Sequence, residues 1–188
     1  MKKNIVGIIL IIACLLIAYP AFCENYRLIY EEGFEAKTSS NLPDGWQTKI
    51  NRGTTAEFNF DETEKHNGRV SYKITVKPPG GSITLFKETN IKNIKPGKKY
   101  EVSIWVKAKD LGYSPNFIAP AFRYNYTPER ISPVPTLDLM YLLKGETGWK
   151  NLTYATTAPS SAQEITLDVV LTKGIIWIDD VQVFEVGN

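Results

Sequence analysis

The stretch "KKYEVSIWVKAK" (98–109) constrains the fold most. Tyr100, Val102, Ile104 and Val106 alternate with Glu101, Ser103, Trp105 and Lys107. A period of two places successive side chains on opposite faces of a strand, so this segment reads as a strand with one face buried. The segments "RVSYKITVK" (69–77), "SITLFKETN" (82–90), "NLTYATT" (151–157) and "EITLDVVLT" (164–172) show the same habit and are rich in β-branched and aromatic residues. Turn signals separate them: Asn67-Gly68, Pro78-Pro79-Gly80-Gly81, Pro96-Gly97, Gly145 to Gly148 and Lys173-Gly174. No segment carries a helical apolar stripe. "TLDLMYLLKG" (136–145) comes nearest and reads as a short helix or a strand. Many short strands between turns predict an all-β sandwich.

The first stretch stands apart from that domain. "MKKNIVGIILIIACLLIAYPAFCEN" has two lysines, an apolar run and small residues around Ala21, the layout of a secretory signal peptide. The expected division is a signal peptide over residues 1–23 and one domain over 24–188, with secretion to the extracellular side. Two alternatives place the chain at a membrane or cell surface. Ile11-Ile12-Ala13-Cys14 resembles a lipobox, although the apolar run continues past it. The run from Ile5 to Phe22 is also near the minimum length for a retained anchor.

Both cysteines fall in this leader, so a mature domain without it has no disulfides and no cysteine metal site. The formal charge of +2 falls to zero once Lys2 and Lys3 are gone. A neutral domain lacks the cationic excess that binds phosphate backbones, which argues against a nucleic-acid partner. No long linker or repeat marks a second domain.

Catalytic signals are few. The one histidine, His66, lies in "EKHNGR" beside a turn and is expected to be a solvated loop residue. No nucleophile elbow, histidine-rich zinc spacing or phosphate loop is present. A glycosidase pair needs only two carboxylates in proximity, and twenty Asp and Glu residues make that a weak signal. The chain is therefore not expected to be an enzyme.

Sugar recognition needs aromatic faces and planar polar groups. Trp46 in "LPDGWQ" and Trp149 in "TGWKNL" sit beside turns and read as structural. Trp105 lies on the polar face of its strand, where it either lines a binding surface or is covered by a loop. In "NFIAPAFRYNYT" (116–127), Ala119, Ala121, Arg123 and Asn125 fall opposite Ile118, Phe122 and Tyr124. Thr166 and Asp168 alternate in the same way with Ile165, Leu167 and Val169. With Trp105 they suggest one ligand face. Asp179 and Asp180 interrupt the apolar "IIWIDDVQVFEV" (175–186). As strand neighbours they point to opposite faces, so they are not a catalytic pair on one substrate. The one that turns inward needs a cation or hydrogen bonds. Glu35, in "YEEGFEA", is a further carboxylate that can join them around a calcium ion.

The ordered set "EEGFEA", "LPDGWQ", "HNGRVSYKI", "IKPGKKYEVSIWVKAK", "GWKNLTYATTAP" and "GIIWIDDVQVFEV" resembles the carbohydrate-binding modules of families 4, 9 and 22 across Tyr26 to Val186. The resemblance implies a galactose-binding-like jelly-roll β-sandwich of two antiparallel sheets. It also implies a structural Ca2+ held by Glu35 with Asp179 or Asp180, Asp180 being favoured. It further implies a polysaccharide partner of the β-glucan or xylan class, bound on the concave sheet. The positions that would serve are Trp105, Arg123, Asn125 and Tyr126, without a clear pair of facing aromatics. Such modules are usually joined to glycoside hydrolases. The expectation is thus a secreted, monomeric, non-catalytic binding module that contacts a membrane only if the leader is retained or lipidated. The alternatives are a surface β-sandwich for protein contacts and, third, a small jelly-roll hydrolase or lyase. That last reading would need an acid–base pair, or His66 beside a Tyr and an Arg, within the groove.

Overall fold

The alternation of "KKYEVSIWVKAK" is realised with one exception: Tyr100, Val102, Ile104, Val106 and Ala108 are buried and Glu101, Trp105 and Lys107 keep partial exposure, but Ser103 on the polar face is also buried, bonded to Asn151. The structure is a computed structural model that describes residues 25–36, 41–78, 83–87, 91, 94–111, 117–123, 137–138, 147–160, 162 and 164–187. Among the described residues there are strands and no helices, hence none that could cross a membrane. The strands in chain order are β1 (Tyr26–Glu32), β2 (Trp46–Ile50), β3 (Thr55–Asp61), β4 (Ser71–Lys77), β5 (Ile83–Lys87), β6 (Lys99–Lys109), β7 (Phe117–Arg123), β8 (Leu137–Asp138), β9 (Lys150–Thr157), β10 (Glu164–Leu171) and β11 (Gly174–Val186). The leader, Asn125 and Tyr126 lie outside the described residues, as does most of the 136–145 segment, of which β8 is a short piece.

All pairings are antiparallel and close two sheets. One runs β3-β4-β11-β6-β9, with β1 also paired to β11; the other runs β2-β5-β10-β7-β8. Apart from β3–β4 and β7–β8, neighbours in each sheet are not consecutive in sequence, as in a jelly roll. The core lies between the sheets. Tyr72, Ile74 and Val76 from β4, Val102, Ile104 and Val106 from β6, and Ile176 and Ile178 from β11 meet Ile83 and Leu85 from β5 and Ile165, Leu167, Val169 and Leu171 from β10. Each such side chain contributes roughly 1.5–3 kcal/mol by leaving water. That two-layer burial is the main source of stability.

Strand β11 is the seam of the larger sheet. Its first half pairs with β4, ending at Ile178 opposite Tyr72. Its second half pairs with β1, from Val181 opposite Glu32. Along β6 the register slips between Asp179 and Gln182. This bulge inserts residues so that Ile178 and Val181 are both buried in the core. The aspartate pair sits at that switch.

Candidate functional site

Asp180 adopts the left-handed φ of +44° that the bulge demands, a conformation Asp tolerates better than most residues. Simple strand alternation therefore stops at this point. Asp179 is almost fully buried, at 1% exposure. Its carboxylate is compensated by three backbone donors: Oδ2 accepts from the N–H of His66 (2.9 Å) and of Asn67 (3.2 Å), and Oδ1 from the N–H of Asp180 (2.9 Å). Burial pushes its pKa up, against the lowering effect of these donors. Backbone hydrogen bonds thus offset part of the cost of a charge in an apolar strand.

The His66 and Asn67 donors belong to the loop between β3 and β4, whereas the Asp180 N–H lies on β11 itself. Glu35 fastens the same loop from the other side, its Oε1 accepting from the N–H of Arg69 (2.8 Å) and Val70 (3.1 Å). The Arg69 N–H, with Val70 and the Arg69 guanidinium, holds the Glu35 carboxyl below its usual range. Two backbone features allow this approach. Phe34, buried against Trp46 and Tyr72, takes a φ of +59° that ends β1 and turns the chain into Glu35. Gly68 has a φ of +62°, and a Cβ there would overlap the Glu35 carboxylate. The loop, Glu35, Gly68 and Arg69 border an open cavity of about 660 Å³ together with Glu62, Lys65 and Val70.

His66 is the residue this fastening positions. Its Nδ1 lies 2.6 Å from Asp180 Oδ2, so an Nδ1–H donates to that carboxylate. Its ring stacks on Trp105 at 3.6 Å between centroids and 14° between planes. Trp149 meets it edge-on at 6.0 Å. The expectation of a solvated loop histidine is corrected: the side chain is 27% exposed and engaged on several sides. The 62–70 loop thus covers part of Trp105 through His66, while the indole keeps partial exposure. Beside it, Trp177 donates from Nε1 to Asp61 Oδ2 (2.9 Å), with the Lys73 and Lys107 ammonium groups 5.1 and 5.7 Å from its ring. Burial opposes ionisation of Asp61. The donors Thr63 Oγ1 (2.6 Å), Trp177, Thr63 N–H and Glu64 N–H outweigh it and hold its carboxyl well below the usual range.

The grouping of Trp105 with Arg123 on one face is also corrected. Trp105 belongs to β6 in the larger sheet and Arg123 to β7 in the smaller, with the core between them. Strand parity tells which residues share a face, but not which sheet a strand joins. Within the smaller sheet the register sets Arg123, Ala121 and Ala119 opposite Glu164, Thr166 and Asp168, the positions that alternate with buried Ile165, Leu167 and Val169. One row across that sheet runs Gln47, Phe86, Asp168, Ala119. Phe86 in this row went unnoticed in the sequence because "SITLFKETN" reads equally well with it in the core. Its backbone register sets it opposite Gln47 on one side and Asp168 on the other.

Glu35, Asp179 and Asp180 do converge, on the 62–70 loop. Among the described residues, however, no group of three or more His, Cys, Asp and Glu side chains is arranged to hold a metal ion. Asp179 spends its oxygens on N–H groups. Glu35 and Asp180 keep the more accessible carboxylates, with side chains 37% and 23% exposed. His66 lies on the larger-sheet side with Trp105 and Asp180, not among the positions of the smaller sheet.

Comparison with solved structures agrees with this architecture. The fold matches a Clostridium thermocellum endo-1,4-beta-D-xylanase 10B structure of CBM22-1 and GH10 modules complexed with xylohexaose (TM-score 0.61, 21% identity); the match covers 87% of this chain and only 29% of that one. The CBM22-1 xylan-binding domain of Paenibacillus barcinonensis Xyn10C matches over 88% of this chain and 98% of its own (TM-score 0.55, 14% identity). The enzymatically active domain of a bacteriophage CBA120 tailspike protein matches over 76% of this chain and 19% of its own (TM-score 0.57, 13% identity). At these identities the likeness speaks for the fold. No curated protein sequence matches the chain. The carbohydrate binding domain family model matches residues 26–174, most of the chain, and the chain belongs to that family.

Proposed function

We propose that the chain is a secreted, non-catalytic module that binds a polysaccharide of the xylan or β-glucan class on the outward face of its five-stranded sheet. The observation that carries this reading is the family match over residues 26–174. The register row Gln47–Phe86–Asp168–Ala119 supports the choice of sheet, since it sets one aromatic position between polar ones and a small one. Small residues leave room for a chain, an aromatic stacks on a pyranose, and amide and carboxylate groups take the hydroxyls. Arg123, four residues beyond Ala119 along β7, adds a planar donor, and Asn125 and Tyr126 follow it in sequence. Xylan is the favoured class because two of the similar structures carry it in their descriptions, one as a xylan-binding domain and one complexed with xylohexaose. The test is affinity electrophoresis of the domain in gels containing soluble xylan, β-glucan or mannan. Retardation by xylan or β-glucan is expected, and unchanged migration across the panel overturns the reading.

The same reading places a structural calcium at the carboxylate corner. Glu35 and Asp180 fit it as hard oxygen ligands. Binding there would compete with the Arg69 guanidinium for Glu35 and with His66 for Asp180, while Asp179 goes on holding the loop. Chelation of the isolated domain with EDTA is expected to lower its melting temperature, and an unchanged melting curve removes calcium from the account.

A further inference from the structure

We propose that the outward face of the six-stranded sheet is a second polysaccharide-binding surface, running along edge strand β9 and ending on Trp149. This rests on the reading of the chain as a polysaccharide-binding module, but it uses a different sheet. Among the described residues strand β9 pairs with β6 alone and ends the strand order of its sheet. Its residues alternate: Asn151, Thr153, Ala155 and Thr157 are exposed, whereas Leu152 is buried. At about 3.3 Å per residue this row is roughly 20 Å long, enough for several consecutive sugar units.

The polar end of the row is pre-organised. Asn151 Nδ2 donates to Ser103 Oγ (2.9 Å), and Thr153 Oγ1 donates to Asn151 Oδ1 (2.8 Å). The amide is held by its neighbours, its Oδ1 also facing Ser103 Oγ at 3.2 Å, and leaves a second N–H for a ligand. Asn151 pairs with Trp105 across the strands, and Trp149 lies two residues before it. Trp149, half-buried, packs its edge against His66, which is itself stacked on Trp105 and hydrogen-bonded to Asp180. The indole is thus held on a fastened base rather than on a free loop. An exposed row of uncharged hydroxyl and amide groups ending on an oriented aromatic suits a neutral polyol chain. It does not suit an anion or an apolar peptide. With the five-stranded face it would make the module bivalent, raising its grip on a polymer more than on a short oligosaccharide.

The test is titration of the ¹⁵N-labelled domain with xylohexaose and, separately, cellohexaose, following the Trp indole signals and the backbone signals of β9. Shifts at Trp149, Asn151 and Thr153 are expected, with Trp46, buried in the core, unmoved. Trp149→Ala is expected to weaken this event about three- to tenfold, the scale of one aromatic contact, and to leave shifts on β5 and β10 in place. Asn151→Ala serves as a second variant that spares the aromatic packing. Shifts confined to β2, β5, β7 and β10 would overturn this inference and leave the proposed function standing. No shift anywhere with either sugar would overturn both.

Discussion

Replacing Asp179 by alanine removes the acceptor of three backbone N–H groups, two of which fasten the 62–70 loop. A buried donor left without a partner costs about 1–3 kcal/mol. Deleting the buried charge returns part of its desolvation penalty, and water reaches some of the space the side chain vacates. The balance is a loss of roughly 2–4 kcal/mol. For a domain of this size about 1 kcal/mol corresponds to 2–4 °C, so the melting temperature should fall by about 5–15 °C. Asp179→Asn keeps the shape and one good acceptor, and should lose about half as much. The assay is thermal unfolding followed by far-UV circular dichroism, with tryptophan emission recorded in the folded state. Loosening the loop lifts His66 from Trp105, so the emission of the Ala variant should move to longer wavelength. A melting temperature within about 2 °C of the parent, with unchanged emission, would refute the view that Asp179 holds the loop.

Other consequences are as specific. Gly174 has a φ of +104°, and a Cβ there would stand 2.5 Å from the Asp110 carbonyl oxygen, so Gly174→Ala should cost about 2–4 kcal/mol by thermal melt. Gly97, with a φ of +75° but open space around it, should lose only about 1 kcal/mol on the same change. Asp61 has a folded-state pKa below its ordinary 3.8, so its contribution to stability is present above that value and is lost as pH falls through the folded pKa. Asp61→Asn should therefore flatten the decline in melting temperature between about pH 4 and pH 2; an identical decline in both proteins would show that Asp61 is not a source of acid sensitivity. Opening the His66–Trp105 stack by His66→Ala should raise the accessibility of Trp105 to acrylamide quenching, and no change in quenching would contradict the loop cover.

Sequence alternation carried much of this architecture. Strands β4, β5, β6, β9 and β10 follow it closely because each buries one face against the other sheet. Strand β1 is harder to read: "YRLIYEE" pairs with a single neighbour, leaves Tyr26 and Leu28 about half exposed, and carries three charges. The candidate site was legible only in pieces. Glu35, Asp179 and Asp180 each contact the 62–70 loop, which the sequence presents as a solvated turn. His66 lies 113 positions from Asp179, and nothing local announces that its N–H will compensate a buried carboxylate. The bulge at Asp179–Gln182 likewise defeats the alternation rule at the residues where the rule was being applied. Trp105 and Arg123 were separated by sheet assignment, which depends on pairings between strands far apart in sequence.

The most direct test of the central claim is isothermal titration of the purified domain with xylohexaose and cellohexaose, repeated on Phe86→Ala. The account predicts saturable heat with at least one of the two sugars and a marked loss of it in Phe86→Ala, whose fold is verified by its circular dichroism. Absence of heat with both sugars in the unmodified domain would contradict it.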